Sequence, residues 1–329
     1  MGINIAVVVT ERCHASSVFS VVDMLLASNY CNGKLLKNSF DVFNISLVGF
    51  DQQYRASNGY IVGPLVNPDN IEVPDLVIVP GTVESVFRSD RMDEQLARYH
   101  SWFQLIRNWH LAGAVICGAC TGNIFLAGSG IAQGRPLTCH WISEPVLSQA
   151  FPSERFNAKE MLFDHGDIIS LGGAYAIQHI VLYLIEKFVN RELAMATSKL
   201  MMVEPEKGLQ SPFRLFLPDK KHGDSAIKDI QEWLEVHFRR AVSISDLASR
   251  MNISERQFCR RFKNATGGSP GNYIQRLRLE FVKQRLESNN NSPSSIIWDA
   301  GYEDVSSFRR LFKRETGMTM NEYRRRFGT

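Results

Sequence analysis

Over the first 190 residues, short apolar runs rich in β-branched residues alternate with stretches whose apolar positions recur at helical spacing. The runs at 3–9, 42–48, 76–79, 114–117 and 168–171 are nearly continuous in apolar residues, as strands buried on both faces are. Helical patterns fall at 90–112, 122–128 and 176–189. Strands separated by helices need right-handed crossovers, so the spacing predicts a doubly wound, largely parallel sheet of the flavodoxin-like class. From about Val203 to Gly223 the periodicity fades, and Pro205, Gly208, Pro212 and Pro218 punctuate the chain. Beyond that the pattern is helical. The expected organisation is an α/β domain at 1–195, a linker at 196–224 and an all-α domain at 225–329.

The helical part contains a repeat. Phe258, Phe262, Gly267 and Tyr273 return 50 positions later as Phe308, Phe312, Gly317 and Tyr323, the signature of one small helical unit used twice. Ser243-Ile-Ser-Asp246 carries the start signal of a short helix ending near Asn252, and the box Ser254-Glu-Arg-Gln257 starts another. Two helices joined by so tight a turn form a helix-turn-helix, whose second helix fits a DNA major groove. On that helix Phe258, Phe262 and Ala265 share the inner face, while Arg256, Cys259, Arg260 and Lys263 share the outer one. In the second copy Asp304 can cap a helix with Phe308 and Phe312 inside and Ser306, Arg309, Arg310 and Lys313 outside. Arginine in a groove reads guanine bidentately, and lysine suits phosphate. Between the copies, Ser269-Pro270 starts a helix to about Ser288 with Ile274, Leu277 and Phe281 on its apolar face. Its length of roughly 27 Å suits a chain reading two successive turns of duplex.

Charge sharpens this picture. Of 37 Lys+Arg and 34 Asp+Glu, 19 and 12 lie at 225–329, so the helical part carries +7 and the rest −4. The anionic partner belongs to the helical part. No uninterrupted apolar stretch approaches the roughly 18 residues of a membrane span, and the apolar run at 3–9 is too short for a signal peptide. A cytoplasmic location with reduced cysteines is the expectation.

The segment from about Ile227 to Phe327 resembles the AraC-type DNA-binding domain, most visibly in Ile253-Ser-Glu-Arg-Gln-Phe-Cys-Arg-Arg-Phe-Lys, Tyr273-Ile-Gln-Arg-Leu-Arg-Leu and Ala300-Gly-Tyr-Glu-Asp-Val-Ser-Ser-Phe-Arg-Arg-Leu-Phe-Lys. Phe281 stands where that family usually has a small residue, Met320 where it commonly has proline, and Cys259 where it often has a polar base-reading residue.

In the front domain, Gly118-Ala-Cys-Thr-Gly122 lies between a strand and a helix-compatible run, the context of a nucleophile elbow. The following helix N-terminus favours a Cys120 thiolate, and His140 in Thr138-Cys-His-Trp141 could lie nearby, so a cysteine-dependent hydrolase or amidase with an accessory nucleic-acid-binding domain is one reading. Cys117 and Cys120 with Cys139 and His140 could make a zinc set on paper, but Cys117 at the end of a buried strand should point away from Cys120; no metal and no cofactor is expected. His165 beside Asp164 reads as a loop residue, with a pocket wall as the alternative. Beyond the strand ends, Ser16, Ser17, Gly81, Thr82, Cys120, Thr121 and His140 are the pocket candidates, with the Thr121 and Gly122 amides able to receive an oxygen atom.

These motifs resemble the PfpI-type branch of the class I glutamine-amidotransferase-like superfamily, and the two domains in this order are similar to the GlxA-like subgroup of AraC regulators. The resemblance implies a front domain that senses a small polar metabolite, nitrogen-containing compounds among the candidates. It also implies that an acidic residue should face the cysteine from the first helix. Ser17 holds that position here, and a serine cannot supply that charge or proton. A sensor is therefore expected rather than an enzyme: a homodimer binding double-stranded promoter DNA, and contacting RNA polymerase if it activates, with the linker from Val203 absorbing the rearrangement. A nonspecific nucleoid or RNA-binding protein is the third reading.

Overall fold

A computed structural model describes residues 2–38, 40–82, 92–173, 177–204, 208 and 210–328. The chain divides into two compact units, Met1–Gln210 and Ser211–Thr329.

The front unit is built on a six-stranded sheet. From edge to edge the strands are Phe43–Val48, Ile3–Val8, Leu76–Val79, Val115–Ala119, Ile168–Leu171 and Leu162–Asp164. All neighbours are parallel except the last pair. The five strand runs read from the sequence are thus the parallel strands. The antiparallel edge strand was not foreseen, because its three residues are too few to show a period.

Continuous apolar runs serve both faces. Ile5, Val7, Ile78 and Ile169 pack on one side against helices Ala15–Tyr30 and Ile177–Phe188. Ala6, Val8, Val77 and Ile168 pack on the other against His100–Leu111 and Asn123–Gly128. The helical pattern at 90–112 is broken: Met92–Arg98 and His100–Leu111 are separate helices. Tyr99 leaves helical geometry at the break, with its buried ring 4.9 Å from Phe125. The expected helix starts at Asp90 and Ala176, and the linker residue Pro205, lie outside the described residues.

The second unit consists of helices Ser225–His237, Ile244–Arg250, Glu255–Thr266, Pro270–Ser288, Pro293–Asp299, Val305–Thr316 and Met320–Phe327. Ser243, Ser254, Ser269, Ser292, Asp304 and Thr319 each accept a backbone N–H three residues on, and Ser254 with Gln257 and Thr319 with Glu322 close full capping boxes. Gly267 and Gly317 end corresponding helices at φ 75° and 74°, a left-handed conformation in which glycine carries no Cβ penalty. The repeat makes two cores. Phe258, Phe262 and Tyr273 centre one, and Phe308, Phe312 and Tyr323 the other.

The first residues of the second unit, which fall in the expected linker, are not free. Phe213 stacks edge-on against Phe327 at 5.2 Å, beside the second core, and Phe216 does the same against Tyr273 at 5.2 Å, beside the first. Between them the Arg214 carbonyl accepts from Lys283, which is 2% exposed, and the Phe216 amide donates to Glu280 at 3.3 Å. Residues 211–216 therefore strap the long helix Pro270–Ser288 and touch both halves of the helical unit.

Candidate functional sites

In the first helix-turn-helix, Ile244–Arg250 leads through Asn252, at φ 53°, into Glu255–Thr266. Arg256, Arg260 and Lys263 are exposed, opposite the fully buried Phe258 and Phe262. Cys259 differs from the expectation: it is half-buried and packs against the first core, because its position sits at the edge of the inner stripe. In the second copy Ser306, Arg309, Arg310 and Lys313 are all exposed. Arg309 donates to Ser294 Oγ at 3.1 Å, tying the two helices of that motif. Among the described residues, Arg260 and Arg310 have no hydrogen-bond or ion-pair partner, which leaves both guanidinium groups available to a ligand.

Arg261 has a different job. It pairs bidentately with Asp224 at 2.6 and 2.9 Å, and Asp224 also caps helix Ser225–His237 through the Ile227 amide. The Arg261 guanidinium holds the Asp224 carboxyl below its usual range. A groove of about 520 Å³ runs beside the pair, lined by His222, Gln257, Arg260 and Asn264 among others. The two halves are also braced. Arg278 donates to the Phe238 and Arg240 carbonyls at 2.8 and 2.9 Å, while Gly301 meets the same turn so closely that a Cβ would stand 2.1 Å from the Arg239 oxygen.

At the front unit's elbow, strand Val115–Ala119 ends and Cys120 turns the chain at φ 56°, an uncommon conformation for a non-glycine residue. Gly122 lies so near the neighbouring strand that a Cβ there would stand 2.2 Å from the Val79 carbonyl. The geometry of a nucleophile elbow is present. Its chemistry departs from the expectation, because burial pushes the Cys120 thiol up to about 11, outweighing the hydrogen bonds from Thr121 and the Gly173 amide. The chain continues from Ala119 as a 3₁₀ turn, Cys120–Gly122, and then a six-residue helix, too weak a dipole to overcome desolvation.

The remaining candidates separate into groups. Ser17, Gly81, Thr82, Cys120 and Thr121 are buried, Ser16 is exposed and His140 is half-buried. Gly81 brings several together, since a methyl group there would stand 3.3 Å from His14 Cδ2, 3.3 Å from Thr121 Oγ1 and 3.5 Å from Cys120 Cβ. His14 is a further candidate that sequence reading missed. Its position just before helix Ala15–Tyr30, two residues ahead of Ser16, was the available signal. Among the described residues no hydrogen bond joins Cys120 to His140, whose Nδ1 instead accepts from the Ile142 amide at 3.3 Å and whose pKa burial lowers. Cys117 is fully buried, His165 is bonded to the Pro136 carbonyl at 2.8 Å, and no group of three or more metal-binding side chains occurs among the described residues.

A family model described as a helix-turn-helix domain matches residues 247–326. The HTH-type transcriptional regulator GbdR of Pseudomonas aeruginosa is 27% identical over 314 residues, covering 94% of this chain and 80% of its own. By these matches the chain is a helix-turn-helix transcriptional regulator. The regulator CdhR of the same organism is 26% identical over 212 residues, with 64% of this chain and 62% of that one covered. The crystal structure of a putative transcriptional regulator protein from Vibrio parahaemolyticus shares the fold at TM-score 0.51 and 16% identity, covering 61% of this chain and all of that one. In this regulator, then, two DNA-binding helix-turn-helix motifs follow an α/β domain. No helix among the described residues is long and apolar enough to cross a membrane.

Proposed function

We propose that the front unit is a non-catalytic sensor of a small polar metabolite, and that its occupancy controls how the paired helix-turn-helix motifs engage promoter DNA in the cytoplasm. The observation that carries this reading is an elbow with its strained backbone intact but its thiol held protonated by burial. Such a site keeps the elbow's backbone and lacks an activated nucleophile. Ser16, Ser17, Gly81, Thr82, Cys120, Thr121 and His140 are its proposed residues, with His14 added. Arg256, Arg260, Lys263, Ser306, Arg309, Arg310 and Lys313 form the proposed DNA-facing set, with Cys259 at its margin.

A homodimer through the front unit belongs to the same reading, supported by Phe19, Leu26 and Tyr30, which expose 42%, 54% and 55% of their surface along one helix. An activator would also contact RNA polymerase. The metabolite must bind one DNA-binding arrangement better than another, since equal affinity shifts nothing.

Mapping of genome-wide bound sites supplies the cognate sequence. Fluorescence anisotropy with that sequence and a scrambled one, at two salt concentrations, then tests the reading. A specificity ratio that survives added salt is expected, whereas equal affinities would leave only counterion release. Turnover of amide, ester or dicarbonyl substrates, abolished by Cys120→Ala, would overturn the sensor in favour of a cysteine-dependent enzyme.

A further inference from the structure

The last residue of the front unit is buried inside it. Gln210 is 2% exposed, and its carboxamide nitrogen meets three acceptors at 2.9 Å: Thr138 Oγ1, the Cys139 carbonyl and the Glu160 carbonyl. A carboxamide has only two N–H donors for these three oxygens. The Thr138 hydroxyl does not relieve the shortage, because it donates its own hydrogen to the Glu160 carbonyl at 2.7 Å. On the other side of the group, Gln210 Oε1 is buried with no hydrogen-bond partner among the described residues. Gln210 therefore fits the shape of its seat but not its hydrogen-bonding pattern, and an unpaired buried oxygen is costly.

Room for the group comes from Gly172. A Cβ there would stand 1.8 Å from Gln210 Nε2 and 2.3 Å from Cδ, so any side chain would evict the glutamine. Gly172 has no positive φ to account for it. Its neighbour Gly173 places an amide on Cys120, so the seat adjoins the elbow through Gly172–Gly173.

We propose that this seat is a binding site for a primary ammonium group, filled in the ligand-free protein by the chain's own Gln210. An ammonium carries three N–H donors for the three acceptors, and charge-assisted bonds are stronger than neutral ones. A quaternary ammonium has no N–H and does not fit. Entry of the ammonium expels Gln210, which immediately precedes the strap at 211–216. The proposal deepens the sensor reading by naming the chemical group recognised.

Methylammonium chloride is the probe, with tetramethylammonium chloride and potassium chloride at equal ionic strength as controls, on the full-length chain. Gln210→Ala empties the seat, and its melting temperature should rise with methylammonium alone, at concentrations at least ten-fold below those the parent chain needs. Gln210→Met refills the seat without donors and should not respond. In the parent chain, methylammonium should accelerate trypsin cleavage after Arg214, in the strap next to Gln210, by several-fold, a measurement that does not depend on any variant folding. Equal responses to tetramethylammonium or potassium, or no acceleration of cleavage, overturn the proposal. A methylammonium response without any change in DNA affinity would instead count against the sensor reading while leaving the seat intact.

Discussion

Thr82 and Thr121 are joined by two reciprocal hydrogen bonds: Thr121 Oγ1 donates to the Thr82 carbonyl at 2.6 Å and accepts from the Thr82 amide at 2.8 Å. One buried hydroxyl thus satisfies both backbone groups of a residue 39 positions away and pins the loop after Leu76–Val79 to the elbow. Thr121→Val keeps the shape and orphans both groups, so a loss of about 1–3 kcal/mol is expected. Thermal and urea denaturation would check it. Wild-type stability in the variant would mean that water replaces the hydroxyl.

The elbow thiol should be inert at neutral pH. With its pKa raised to about 11, Cys120 is protonated until well into the alkaline range. Iodoacetamide at pH 7.5 should therefore label the half-buried Cys259 well before Cys120, and Cys120 labelling should climb only as the pH approaches that value. Peptide mass spectrometry reads both rates, and fast labelling of Cys120 at pH 7.5 would contradict the assigned burial.

On DNA, Arg260→Ala or Arg310→Ala should cost about 1–3 kcal/mol on a cognate site and relax its sequence preference. Lys263→Ala or Lys313→Ala should weaken all duplexes more evenly. Equal losses on cognate and random DNA for the arginine variants would remove them from the base-reading set.

Asp167 accepts from Arg135 at 2.6 and 3.1 Å and lies 2.8 Å from His110 Nε2, and the Arg135 guanidinium above all holds its carboxyl well below the usual range. A depressed folded-state pKa means stability that is present above the unfolded value of about 3.9 and lost as pH falls through the folded value. Asp167→Asn should therefore be less stable than the parent at pH 7, with the gap closing in strong acid. The carboxylate is 43% exposed, so solvent screening keeps the effect modest. Urea midpoints at several pH values would show it, and a gap independent of pH would point to packing instead.

Among the glycines of the helical unit, Gly301 should tolerate least. It combines φ 83° with a carbonyl 2.1 Å from where a Cβ would stand, whereas Gly267 has φ 75° and open space. Gly267→Ala should cost about 1 kcal/mol and Gly301→Ala clearly more. Equal melting temperatures for the two variants would count against the brace between the halves.

Much of this was legible beforehand because it is periodic or local. Continuous apolar runs marked the five parallel strands, and Ser254-Glu-Arg-Gln257 and Asp304 announced their helices through capping chemistry that acts over three residues. Tertiary effects were not legible. Tyr99 leaves helical geometry where its ring meets Phe125, and Cys120 is protonated because of its three-dimensional surroundings, whatever its neighbours along the chain. His14, Gly172 and Gln210 carry no motif at all. Their roles arise only when distant parts of the chain meet.

The strap at 211–216 has a practical consequence for dissecting this regulator. A fragment begun at the first long helix of the DNA-binding half, near Ser225, would take away the Arg214 carbonyl that receives Lys283, leaving it only Glu280, and would strip an aromatic cover from each core. Front halves exchanged between relatives should accordingly be joined ahead of Ser211, so that this ribbon travels with the helices it fastens.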